Sequence, residues 1–176
     1  MIGIDGCHLS GPHKGVLLTA VGVDPNQALY PIAYAIIPIE NKDNWQWFFT
    51  VLKEDLQLDR VQHLTFISDR QKRLIQAMQE EFPNVDHRFC VRHMHNNFST
   101  AGYRGLALKN LLWSAARAGT VAEYMYQMRK IREMSESAWK WLSDRPPTQW
   151  SKSHFSEGPM CDMLLYNVCV SFNACI

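Results

Sequence analysis

Two aspartates stand where acids can do chemistry: Asp5 closes the apolar run Ile2-Gly3-Ile4, and Asp69 closes Leu64-Thr65-Phe66-Ile67-Ser68. A carboxylate at the mouth of a buried strand is held rigidly beside solvent, and two on neighbouring strands can share a divalent cation that each alone binds weakly. Each also has a plainer reading, because Asp5-Gly6 has the composition of a turn and Asp69 can cap a following helix. A second cluster, Cys90-Val91-Arg92-His93 with His95 two residues on, has the spacing of half a zinc site. A structural zinc needs four ligands, and Cys161 and Cys169 are not paired at a zinc-like interval. The balance therefore falls against zinc and towards a buried, hydrogen-bonded Cys90 and His93. His8 and His13 read as loop residues rather than as catalytic bases.

Hydrophobic periodicity supplies the elements that must position these groups. Strands are expected at Met1 to Asp5, Gly15 to Val23, Tyr30 to Ile37, Leu64 to Ser68 and Asp86 to Phe89. The turn chemistry of Asp24-Pro25-Asn26 makes the second and third an antiparallel hairpin. Between Asn44 and Leu58 the positions Trp45, Phe48, Phe49, Leu52 and Leu56 form a helical stripe that should pack on the sheet. A second helix, Arg70 to Phe82, carries Leu74, Ile75, Met78 and Phe82 on one face. Three strands, then helix, strand, helix, strand, point to a mixed α/β sheet covered by helices. After Cys90 the spacing is helical: Met94 to Phe98, Leu106 to Arg117, Val121 to Met134 and Glu136 to Leu142. Arg145-Pro146-Pro147-Thr148 breaks the run, Trp150 to Glu157 reads as a loop, and Pro159 can open a last helix from Met160 onward.

A chain of 176 residues with 47% hydrophobic content can bury the core of one domain. Its net charge of +1 conceals an asymmetry, since Ala101 to Arg145 holds 8 Lys and Arg against 4 Asp and Glu. On charge alone a solvated helical face explains that bias slightly better than a phosphate-binding surface. Five cysteines (Cys7, Cys90, Cys161, Cys169, Cys175), odd in number and irregularly spaced, favour reduced thiols in an intracellular protein. No apolar run reaches membrane-spanning length. The abrupt ends suggest a piece of a longer protein.

Five strings in order carry a resemblance: Asp5-Gly6-Cys7-His8-Leu9; Trp45-Gln46-Trp47-Phe48-Phe49; Ile67-Ser68-Asp69-Arg70-Gln71-Lys72; Arg88-Phe89-Cys90-Val91-Arg92-His93-Met94; and Cys161-Asp162-Met163-Leu164-Leu165 to Ser171-Phe172-Asn173. Together they resemble the transposase domain of plant Mutator-like elements. The resemblance implies a ribonuclease H-like α/β fold, a mixed five-stranded sheet flanked by helices with an all-helical insertion before the last helix. On this chain the expected division is 1–98 for the α/β core, 99–145 for the insertion, and 146–176 for the loop and final core helix. It further implies DNA strand cleavage and transfer at transposon ends by an Asp, Asp, Glu triad holding two Mg²⁺ or Mn²⁺ ions, in a nuclear protein that can form homo-oligomers. Asp5 and Asp69 occupy the first two acid positions, and the Cys90 and His93 pair recurs beside that site.

The third acid position falls on Val170, and valine cannot bind Mg²⁺. Asp162, eight positions earlier on the same expected helix, lies about 12 Å away along the axis, too far to substitute. Asn167 and Asn173 offer only neutral amide oxygens, and Glu157 sits in a loop. Two further departures are Tyr166 where the family tends to have Asn and Arg73 where it tends to have Gly. Strand transfer is therefore expected to be impaired. The alternative is a domesticated, non-enzymatic module that binds DNA or regulates transcription; an unrelated metal-dependent phosphatase or nuclease fits the ordered motifs poorly. Arg104, Lys109, Arg117, Arg129, Lys130 and Arg132, interleaved with Tyr103, Trp113, Tyr124, Tyr126 and Trp139, are the candidate DNA contacts. Most of the tryptophans, Trp113, Trp139 and Trp141 among them, are expected to form the insertion's own core.

Overall fold

The computed structural model describes residues 1–10, 14–23, 29–62, 64–156 and 164. Apolar alternation produces three consecutive antiparallel strands, β1 (Ile2–His8), β2 (Val16–Val23) and β3 (Leu29–Ile37). Helix α1 (Lys42–Asp55) then carries the chain across the sheet, so that β4 (Thr65–Ser68) pairs parallel with β1. Helix α2 (Lys72–Glu81) leads to β5 (Asp86–Phe89), giving the strand order β3-β2-β1-β4-β5. This is the mixed sheet flanked by helices that the order of strands and helices implied, and the ribonuclease H-like α/β architecture that the resemblance implied.

Strand periodicity sorts the residues of β1, β2 and β4 onto two faces. On one face Ile2, Ile4, Val16, Leu18, Ala20 and Phe66 meet Trp45, Phe48, Phe49 and Leu52 of α1 and Leu74, Ala77 and Met78 of α2. Aromatic contacts fill this layer: Trp45 stacks on Phe49 with ring centres 5.5 Å apart, and Phe66 lies 4.8 Å from Phe82. The other face of the same strands presents Gly3, Asp5 and Cys7 of β1, and Leu17, Thr19 and Val21 of β2. The helices are fixed at their entries. Asn41 accepts the Asn44 N–H at 2.8 Å, and Gln71 accepts the Leu74 N–H at 2.7 Å, each satisfying a donor that the first turn leaves open.

Three local expectations are corrected. β1 does not stop at Asp5, because Cys7 and His8 go on pairing with Leu17 and Val16; there is no turn at Asp5-Gly6, and His8 is a strand residue. Gly6 sits at a close approach, since a Cβ would lie 2.9 Å from Glu40 Oε1 and 3.2 Å from the Trp45 ring. Helix α1 ends at Asp55, so Leu56 becomes its C-cap and is exposed instead of packing on the sheet. The Asp24-Pro25-Asn26 turn, His13, Glu157, Cys161, Asp162, Asn167, Cys169, Val170, Asn173 and the expected last helix lie outside the described residues.

The chain forms two compact units, divided between His87 and Arg88. The second is helical: α3 (Val91–Thr100), α4 (Leu106–Arg117), α5 (Val121–Met134) and α6 (Glu136–Ser143). Its core gathers Met94, Phe98, Leu112, Ala115, Ala116, Met128, Ile131, Ala138, Leu142 and a fully buried Trp150. Trp113, Trp139 and Trp141 pack against that core while remaining partly exposed. The Pro147–Gln149 and Lys152–His154 turns return over the helices. Ser151 Oγ donates to the Ala115 carbonyl at 2.8 Å, and Trp150 meets Tyr124 edge to face. Thr120 and Ser135 cap α5 and α6 through the N–H groups of Glu123 and Ala138.

Candidate functional site

The register between β1 and β4 leads up to the two acids. Ile2 lies opposite Phe66, Gly3 opposite Ile67 and Ile4 opposite Ser68, so Asp5 of β1 and Asp69, one residue past β4, each follow the last aligned pair. Such strands lie about 4.8 Å apart. Ile4 and Phe66 enter the α1/α2 core and alternation turns Asp5 and Asp69 to the opposite face, where two carboxylates can converge.

The two acids are held differently. Asp5 is paired through its backbone to Thr19 of β2, and Thr19, itself fully buried, donates its hydroxyl to the Asp5 carbonyl at 3.4 Å. Asp69 lies one residue past β4. Its Oδ1 accepts the Gln71 N–H at 3.0 Å, which fixes the turn into α2 and orients the carboxylate. The helix cap itself is Gln71, so Asp69 has a local structural part to play without being the cap.

Behind Asp69 sits a polar pair that periodicity alone did not single out. Ser68, fully buried, donates its hydroxyl to the Asp69 carbonyl at 2.7 Å, and its Oγ also lies 2.7 Å from His87 Nε2 on β5. Burial, reinforced by the positive charge of Arg70, pushes the His87 imidazole down to about 4, so it is neutral at pH 7. Burial also lowers Arg70 below its ordinary value. The available signal was a hydroxyl directly before the acid and a histidine in the apolar rhythm of a short strand.

Cys90 is the buried N-cap of α3, and His93, half-buried, lies in the first turn of that helix. Among the described residues no three of His, Cys, Asp and Glu come together as a metal-binding group. Asp5 and Asp69 carry hard carboxylate oxygens, the ligand type that suits Mg²⁺ or Mn²⁺, ions that keep several waters when one or two carboxylates hold them. Arg104, Lys109, Arg117, Arg129, Lys130 and Arg132 are all exposed on the helical unit. Several lie over rings: Arg117 over Trp113 at 5.0 Å, Lys130 over Tyr126 at 4.4 Å and Arg132 over Trp139 at 4.7 Å. Lys109, Trp113 and Arg117 follow one another at i, i+4, i+8 along α4, which sets them on one side of that helix.

The mixed sheet, with Asp5 on β1 and Asp69 directly after β4, defines the class of ribonuclease H-like α/β proteins. Comparison narrows the class. The sequence model of the MULE transposase domain matches residues 1–97, which hold all five strands and both acids. That is more than half of the 176 residues, and the chain belongs to the MULE transposase domain family. No curated protein matches it. Among the described residues no helix is long and apolar enough to cross a membrane.

Proposed function

We propose that this transposase-derived chain binds DNA and holds one divalent cation, Mg²⁺ or Mn²⁺, between Asp5 and Asp69, with strand cleavage and transfer impaired by Val170. The observation that supports the reading is the parallel pairing of Ile4 with Ser68, the residues that directly precede the two acids. When bound, such an ion supplies electrostatic stabilisation of charge developing on a phosphoryl oxygen. The protein's own contribution is rigidity: β1 is paired with β2 along its length and with β4 up to Ile4, and the Gln71 N–H holds the Asp69 carboxylate. Two-ion chemistry calls for a third acid, and Val170 stands at that position.

The exposed cations of α4 and α5 support a second reading within the same family, a domesticated module that binds DNA without cutting it and works in the nucleus. Surface Arg and Lys beside aromatic rings suit phosphate contact and base stacking whether or not the acids are active. Assembly into homo-oligomers is compatible with either reading. Mg²⁺-dependent nicking of transposon-end DNA by this chain and by Val170→Glu separates them. The impaired-enzyme reading expects little nicking by the chain and a gain in the variant. Strong nicking by the unaltered chain refutes the impairment, and DNA binding with no gain in Val170→Glu favours the non-enzymatic module.

A further inference from the structure

Resting on the reading of Asp69 as a metal ligand, the geometry points to His87 as a positioning residue for that carboxylate, acting through Ser68. A serine hydroxyl has one proton. Ser68 gives it to the Asp69 carbonyl at 2.7 Å, and a carbonyl cannot return one. The 2.7 Å contact between Ser68 Oγ and His87 Nε2 must therefore be donated by the imidazole, which selects the tautomer protonated on Nε2. The resulting chain runs His87 Nε2–H to Ser68 Oγ–H to the Asp69 carbonyl.

Its mechanical consequence falls on Asp69. β4 ends at Ser68, so the ladder that aligns Ile4 with Ser68 no longer holds the next residue. Two bonds take over: the Ser68 hydroxyl holds the Asp69 carbonyl, and the Gln71 N–H holds Asp69 Oδ1. Without the histidine donor, Ser68 Oγ loses the N–H that restrains its rotamer and polarises its O–H, and the first of those bonds is loosened. Groups that orient ligands from behind are commonly worth 10-fold to 100-fold in metal affinity.

The test uses the chain as it stands and two readouts: Mn²⁺ affinity by electron paramagnetic resonance, and exchange of the Gln71 amide by NMR. His87→Phe keeps a ring of similar size without a donor, while His87→Gln keeps an N–H that can reach Ser68. We expect His87→Phe to weaken Mn²⁺ about ten-fold and to speed Gln71 exchange at least about five-fold. Ser68→Ala should do the same, the double variant should lose no more than either single one, and His87→Gln should return both readouts to within about three-fold of the parent. Equal behaviour of His87→Phe and the parent, or of His87→Gln and His87→Phe, overturns the inference. Asp69→Asn tests the underlying metal reading separately. If Mn²⁺ binds equally well to that variant, or does not bind the parent, Asp69 is not a ligand, and Gln71 exchange alone then decides whether His87 positions it.

Discussion

Acid should weaken this fold through one identifiable group. His87 is held at about 4 in the folded chain against an ordinary 6.5, first by burial and then by Arg70. Its folded value is depressed, so between those two values the unfolded chain binds the proton more readily than the folded one. Stability from this source is complete above pH 6.5, falls as the pH drops towards 4, and changes no further below that. At pH 5 an ordinary histidine is almost fully protonated while one at about 4 remains largely neutral, a difference of about 2 kcal/mol in folding free energy. That is a sizeable part of the roughly 5–15 kcal/mol by which domains are stable. Urea unfolding at pH 7 and pH 5, for the chain and for His87→Gln, isolates the effect because the variant cannot titrate. The parent should lose about 2 kcal/mol more than the variant over that interval. NMR titration of the His87 ring should find no protonation at pH 6. A midpoint near 6.5, or equal acid sensitivity in both proteins, refutes the reasoning.

Other outcomes follow from the same structure. Asp5→Asn and Asp69→Asn should each abolish Mn²⁺ binding measured by calorimetry, and retention in both would remove the paired-carboxylate site. Trp150→Ala empties the centre of the helical core and should destabilise that unit by about 3–5 kcal/mol in denaturant titration. Thr120→Ala removes the cap of α5 and should cost about 1 kcal/mol, read from the same titration. If α4 meets DNA, Lys109→Ala with Arg117→Ala should flatten the salt dependence of binding by about two phosphate contacts in fluorescence anisotropy; an unchanged slope would put the DNA elsewhere.

Periodicity was most informative where packing is local. α4 and α5 run over Leu106–Arg117 and Val121–Met134, the spans their apolar spacing indicated, because each helix buries one continuous stripe and ends at its own caps. β1 was read short for the opposite reason. Gly6 shows no apolar signal, yet it is in the strand because it pairs with Leu18 of β2, and Glu40 and Trp45, far away in sequence, occupy the space a side chain would take. Leu56 fits the α1 stripe by number and leaves it because the helix stops one residue earlier. Trp150 lies in a proline-flanked segment that is indeed irregular, and only the assembled helices make its ring the centre of a core. At the site, the two acids were visible as strand-end carboxylates and in the family motifs. The Ser68–His87 pair was not, because it forms across nineteen residues and joins neighbouring strands through space.

The ladder's end between Ser68 and Asp69 divides the candidate site into a fixed jaw and an adjustable one. Asp5 is clamped by its backbone to Thr19 of β2, one residue beyond the last pair that β1 makes with β4, so its carboxylate inherits the stiffness of a paired strand. Asp69, past the end of β4, is held instead by two bonds, from the Ser68 hydroxyl and the Gln71 N–H. If the two acids grip an ion as proposed, the arm that adjusts to its size is Asp69, and the bonds behind it, from Ser68 and Gln71, set how far that arm gives.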